Sequence, residues 1–122
     1  MKIFVTGGLG FIGSNYILKK IGNHSVEILN FDKITYAANI QNLSSLESNP
    51  RYHFIKGDIC NMSAISKSIN DFQPDIIVNF AAESHVDRSI DSPMEFIQTN
   101  VVGTTNLLEA ALNYYNKLKN KD

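Results

Sequence analysis

The sequence predicts a doubly wound α/β fold, a parallel sheet with helices on both faces, and three observations carry that prediction. A short apolar run opens the chain and passes directly into Thr6-Gly7-Gly8-Leu9-Gly10-Phe11-Ile12-Gly13, behind which a helical pattern begins. Strand-like and helix-like segments then alternate, as a sheet built by crossovers requires. A second strand-like run ends in an acidic residue, Asp32, about 20 residues past the glycines.

Lys2-Ile3-Phe4-Val5 reads as the first strand. The glycines at 7, 10 and 13 let the chain turn tightly off it, let a phosphate approach bare backbone N–H groups, and let the next helix sit close on the sheet. Residues 8, 10 and 13 also spell G-x-G-x-x-G, a weak signal without the strand and helix around it. From Phe11 to Ile21 apolar residues at 11, 12, 16, 17, 18 and 21 describe a helix packed on a sheet, and Gly22-Asn23 supplies a stop. Val26 to Phe31 is the second strand, and the Asn/Ser-rich stretch from Asn39 to Pro50 reads as a surface loop with a short helix. Tyr52-His53-Phe54-Ile55 makes a third strand ending in Gly57-Asp58, and Asn61 caps a helix running to about Phe72.

Pro74 and Asp75 introduce the fourth strand, Ile76 to Phe80, whose unbroken apolar character suits a strand covered on both faces. Ser92-Pro93-Met94-Glu95 then signals the start of a long helix: a capping residue, proline at the first helical position and a glutamate three residues after the cap. Phe96, Ile97, Val101, Leu107, Leu108, Ala111, Leu112 and Tyr115 give that helix an apolar stripe, and Gly103 permits close approach of a neighbour. The polar tail Lys117–Asp122 is expected to fray. Right-handed crossovers give about four parallel strands in the order 3-2-1-4, with the loops after all four strands converging where the order reverses. Function is expected in that crevice.

The chain has 122 residues, enough for one domain with a single core and small for a dinucleotide enzyme that also needs a substrate lobe. Its net charge of −1 is dispersed, which argues against a nucleic-acid or anionic-membrane surface. Cys60 is the single cysteine, so no internal disulfide is available; an inert thiol in a reducing compartment is expected. No apolar run approaches a membrane span and the N-terminus enters a strand at once, so the reading is a cytoplasmic protein.

At the end of the second strand, the Asp32 carboxylate would accept both hydroxyls of an adenosine ribose and repel a 2′-phosphate, which favours NAD over NADP; Lys33 next door would partly offset that repulsion. Tyr-x-x-x-Lys spacing occurs at Tyr16/Lys20 and Tyr115/Lys119, but the first tyrosine lies on a core-facing stripe and the second at the far end of the last helix, away from the crevice. His24 falls in a turn, His53 in a strand, and no metal-ligand cluster is present, so no metal site is expected. His85 alone lies in a plausible site, where substrate contact and local hydrogen bonding are both open.

Four segments resemble the extended short-chain dehydrogenase/reductase family, and within it the dTDP-glucose 4,6-dehydratases: Thr6 to Asn15, Asp32 to Asn39, Asn79 to Ile90, and Thr99 to Thr104. The first and last are shared across the extended family; the middle two resemble the sugar-nucleotide dehydratases in particular. The resemblance implies a Rossmann-like, three-layer αβα fold and bound NAD as cofactor. It places Gly7, Gly10, Phe11, Ile12 and Gly13 around the pyrophosphate, and Asp32, Lys33, Ile34 and Thr35 around the adenosine ribose. Asp58 with Ile59 would meet the adenine amino group; Phe80, Ala81 and Ala82 would leave room for the inner ribose and phosphate, with Glu83 and Ser84 beside them. Thr99 would contact the nicotinamide half, Ser84 would also face the hexose, and His85, Asp87 and Arg88 would lie near the substrate without an assigned role.

Ala38 stands where many such relatives have glycine, tolerable if the local φ is negative, and Asn61 stands where aspartate is common and caps equally well. The family's Thr-Asp-Glu group on a fifth strand and its Tyr-x-x-x-Lys pair would both fall beyond Asp122, so no catalytic residue is assigned within the chain. The expectation is therefore one partial NAD-binding Rossmann domain over residues 1–122, lacking the fifth strand onward and the substrate domain; alone it would be inactive. The resemblance implies, for a complete subunit, conversion of dTDP-glucose to dTDP-4-keto-6-deoxyglucose by a homodimer in nucleotide-sugar biosynthesis. A related NAD-dependent epimerase or decarboxylase, and a non-catalytic nucleotide-binding module, are the alternatives.

Overall fold

The computed structural model describes residues 1–119; within the expected polar tail, residues 120–122 lie outside the described residues. Four parallel strands, β1 (Lys2–Thr6), β2 (Glu27–Asp32), β3 (Tyr52–Lys56) and β4 (Ile76–Asn79), form one sheet in the order β3-β2-β1-β4. This is the order expected from the sequence. Register fixes the crevice: Thr6 lies opposite Phe31 on one side and Asn79 on the other, so the ends of β1, β2 and β4 are level.

Alternate side chains of the central strands feed two cores. Ile3, Val5 and Ile28 point to the side of α1 (Phe11–Ile21) and a 3-10 helix (Ile40–Leu46), where they meet Ile17, Ile21, Leu43 and Leu46. Phe4, Leu29 and Phe31 point to the other side, packing with Ile65, Ile69 and Phe72 of α2 (Met62–Phe72) and with Leu107 and Ala110 of α5 (Thr104–Lys117). Asn61 caps α2 as expected, its side chain accepting from Ala64 N–H at 3.1 Å. α1 stops at Gly22 with φ −60°, so the stop is not a left-handed glycine. Instead the Arg51 guanidinium receives the chain there, donating to the carbonyls of Ile21, Asn23 and Val26 at 2.9 to 3.0 Å.

Three expectations are corrected. β4 is not covered on both faces: it forms a sheet edge, with Ile76 40% exposed, because no further strand pairs with it among the described residues. Ser92 does not cap a long helix. A short helix α3 (Val86–Asp91) already occupies the preceding residues, leaving Ser92 as a junction without a side-chain cap before α4 (Pro93–Phe96), and Glu95 turns to Arg88 instead of back to the helix start.

The apolar stripe of the last helix is also not one buried stripe. A π-helical segment, Ile97–Gly103, joins α4 to α5 and shifts the helical phase, so Gly103, Leu107 and Ala110 are buried. Ile97, Val101, Leu108, Leu112 and Tyr115 stay exposed. Gly103 is needed for that approach, since a Cβ there would stand 2.6 Å from the Ile59 side chain.

Candidate functional site

The carboxyl ends of the strands open into a cleft lined by Gly7, Gly10, Asp32, Lys33, Thr35, Asp58, Ile59, Phe80, Ala81, Ala82, Glu83 and Thr99. These are twelve of the residues singled out in the sequence, drawn together from five separate segments. Phe31, Ala37, Ala38 and Gly57 complete the wall. Ile34 lines an adjoining cavity with Tyr36, Cys60, Arg88 and Gln98.

Gly13 is not on the wall. It lies under the turn, where a Cβ would meet the Gly7 carbonyl oxygen at 2.3 Å, so its contribution is to let α1 start against the turn. Phe11 and Ile12 begin α1 with exposed side chains, and Ser84 is exposed in the loop before α3, outside both linings.

The glycine turn is held by its neighbours. Gly7 has φ +70°, the left-handed region, and a Cβ there would fall 2.4 Å from Ala81 N; its own N–H donates to the Phe31 carbonyl at 3.1 Å. Two side chains of β2 fix the next residues. Asn30 Oδ1 accepts from Gly8 N–H at 3.1 Å, and Asp32 Oδ2 accepts from Leu9 N–H at 2.9 Å. Asn30 is fully buried and spends its amide donor on the Tyr52 hydroxyl, 3.1 Å away. Sequence reasoning passed over Asn30; its signal was a polar residue in the middle of a strand otherwise built to be buried.

The N-cap residue of α1, Gly10, has no side chain to cap the helix, so the first N–H groups of an eleven-residue helix are left without a side-chain acceptor beside the cleft. That donor set and the small residues around it suit a phosphate group.

Asp32 is nearly buried and serves both sides of its loop: its other oxygen, Oδ1, accepts from Ile34 N–H at 2.8 Å. Ile34 has φ +60°, a costly conformation for a β-branched residue, and the Asp32 carboxylate holds it there. Ala38 has no positive φ, so alanine in place of glycine is unstrained.

Lys33 Nζ pairs with Asp58 Oδ2 at 2.8 Å across the ends of β2 and β3. Burial acts to raise the Asp58 carboxyl, but the Lys33 hydrogen bond and the Cys60 amide bring it below its ordinary value. The Lys33 ammonium is raised, chiefly by the same hydrogen bond.

On the β4 side the chain is anchored by asparagines. Asn79 Oδ1 accepts from the Thr6 hydroxyl at 2.5 Å and from Ala81 N–H at 3.1 Å. Asn100, in the π-helical segment, is bonded twice to Glu83. The Glu83 carboxylate accepts from the Tyr36 hydroxyl at 3.1 Å, and the Arg88 guanidinium lies 4.1 Å from the centre of the Tyr36 ring. His85 meets the same ring edge-on, 6.2 Å between centres. His53 instead pairs with Glu27 away from the cleft, at 2.9 Å. No group of His, Cys, Asp or Glu among the described residues could hold a metal ion, and no described helix is long and apolar enough to cross a membrane.

The level strand ends, glycine turn and uncapped helix start define a protein of the Rossmann type. The family model described as GDP-mannose 4,6 dehydratase matches residues 4–121, and the chain belongs to that family. Among curated proteins it is 51% identical over 119 residues to dTDP-glucose 4,6-dehydratase of Haemophilus influenzae, a match covering 97% of this chain and 35% of that protein. It is likewise 51% identical over 115 residues to the Escherichia coli enzyme, covering 94% of this chain and 32% of that one.

Among solved structures, dTDP-glucose 4,6-dehydratase of Streptomyces venezuelae with NAD bound superposes with a TM-score of 0.87 at 39% identity, over 93% of this chain and 36% of that one. UDP-glucose 4-epimerase of Thermotoga maritima gives 0.81 at 27% identity, over 93% and 35%. The chain thus spans about a third of the length of the curated relatives it matches.

Proposed function

We propose that the chain holds the NAD of a dTDP-glucose 4,6-dehydratase. The observation that carries this reading is the cleft itself: residues from the ends of all four strands and from the π-helical segment meet around a bare helix start, in a chain about half identical to curated dehydratases.

The residues present fit the cofactor. Gly7 and Gly10, with the amides of Phe11 and Ile12, would take the pyrophosphate, where side chains at the glycines would crowd it. Asp32 would accept the ribose hydroxyls with Lys33, Ile34 and Thr35 around it, and Asp58 and Ile59 would face the adenine. Phe80, Ala81, Ala82 and Glu83 would flank the inner half, with Thr99 at the nicotinamide and Ser84 toward the hexose. When bound, NAD supplies the hydride acceptor and donor for converting dTDP-glucose to dTDP-4-keto-6-deoxyglucose with loss of water. The chain's own part is to bind, orient and exclude water; no residue of this chain is assigned to move protons on the sugar, and the relatives extend over about three times the length matched here.

The homodimer and a cytoplasmic setting belong to the same proposal. The outward apolar side of α5, with Leu108 and Leu112 exposed, supports the first, and the free thiol of Cys60 supports the second. Sedimentation and cell fractionation test them.

Two measurements test the function. In a complete subunit that carries residues 1–122, dTDP-glucose should be converted to a nucleotide sugar lighter by one water; an epimer of unchanged mass would make it an epimerase, and no turnover with NAD still bound would leave a nucleotide-binding module. Asp32→Ala should weaken NAD binding by at least tenfold, and an unchanged affinity would overturn the ribose assignment.

A further inference from the structure

The sequence leaves Lys33 as a residue that could offset the repulsion between Asp32 and a 2′-phosphate. In the structure Lys33 and Asp32 line the same cleft, but the Lys33 ammonium is engaged elsewhere, 2.8 Å from Asp58 Oδ2 at the end of β3. Asp58 is in turn fixed, its Oδ1 accepting from Cys60 N–H at 2.9 Å. Asp32 meanwhile has both oxygens committed to the amides of Leu9 and Ile34, so it cannot swing away from a phosphate.

We propose that Asp58 is a specificity-determining residue: by holding Lys33 across the strand ends, it withholds that ammonium from the ribose 2′ position and makes the site selective for an unphosphorylated adenosine ribose. The inference rests on the proposed NAD reading. Its physical content is that one carboxylate repels the 2′-phosphate while a second removes the ammonium that would compensate. Glu83 lines the same cleft and adds a further negative charge to it.

The test is the ratio of dissociation constants for ADP-ribose and for its 2′-phosphate, measured by calorimetry on nucleotide-free protein. These probes need only the adenosine half of the site. Asp58→Asn should shift the ratio toward the phosphorylated ligand by about two- to fivefold, the range for one partly exposed charge contact. Lys33→Met alone, which frees the Asp58 carboxylate, should not move the ratio toward the phosphorylated ligand, and adding it to Asp58→Asn should remove the shift that Asp58→Asn produces.

A shift that persists in the double variant would overturn the proposal, since loss of negative charge alone would then explain it. A shift toward the phosphorylated ligand in Lys33→Met alone would also overturn it, since the Lys33 ammonium would then not be the compensating charge. Failure of the native protein to bind either probe would overturn the NAD reading instead.

Discussion

Asn100 and Glu83 exchange a reciprocal pair of hydrogen bonds, the Glu83 amide donating to Asn100 Oδ1 and the Asn100 amide donating to the Glu83 carbonyl, each at 2.8 Å. A side chain thereby pairs with a backbone as a neighbouring strand would. It ties the loop after β4 to the π-helical segment, and the same loop lines the cleft through Ala81, Ala82 and Glu83. An asparagine inside a helix is otherwise a poor choice, because its amide competes with the helix for backbone partners.

Replacing Asn100 by leucine should therefore cost about 1 to 2 kcal/mol and loosen the loop selectively. Hydrogen exchange at residues 81–91 should quicken while β1 and β2 stay protected; uniform protection loss would show that the pair only stabilises the fold as a whole.

The three glycines of the turn should separate by role. Gly7→Ala combines a left-handed φ with a Cβ 2.4 Å from backbone, and should destabilise by about 2 kcal/mol or more in a denaturant titration. At Gly10 the nearest atom to an added Cβ is the Gly7 carbonyl oxygen at 3.5 Å, so Gly10→Ala should fold normally. Because Gly10 lines the cleft, NAD affinity should nevertheless fall about tenfold in that variant; equal affinity would remove the pyrophosphate from this turn.

Gly103 and Ile59 should show strong coupling. Gly103→Ala places a Cβ 2.6 Å from both Ile59 Cδ1 and Cγ1 and should cost about 1 to 3 kcal/mol, whereas Ile59→Ala alone should cost about 2 to 5 kcal/mol. Combined, the deleted Cγ1 and Cδ1 make room for the added Cβ, so the double variant should be less destabilised than the two singles together. Strict additivity in urea unfolding would refute the contact.

The Lys33 and Asp58 pair should appear in the pH dependence of stability. Asp58 is lowered on folding, so its contribution is present above the ordinary carboxylate value and lost as pH falls through the folded value. Lys33 is raised, so its contribution is present below the ordinary lysine value and lost as pH rises through the folded one. The pair thus acts across the neutral range. Solvent screening keeps it under about 1 kcal/mol there, and Asp58→Asn should flatten part of the acid limb of the curve. Parallel acid limbs for the two proteins would show that the pair contributes nothing.

The sequence by itself determined the elements whose causes are local. Glycines at 7, 10 and 13 behind an apolar strand set the turn and α1; Asn61 set the start of α2; alternation of strands and helices, with the handedness of crossovers, set the order β3-β2-β1-β4. Strand order located the crevice, since parallel order brings strand ends together, while the family resemblance named many of its twelve residues, among them Thr99, which comes from the π-helical segment and not from a strand end.

Only the tertiary structure decided which partners those residues take. Lys33 pairs with Asp58, 25 positions on; Asn30 reaches back to Gly8; Asn100 reaches Glu83. It also decided that α5 buries Gly103, Leu107 and Ala110 instead of the whole apolar stripe, because the π-helical segment shifts the helical phase and Ile59 admits only a glycine at the contact. Periodicity shows how residues are arranged along an element, whereas burial and pairing depend on what the rest of the chain brings to its surface.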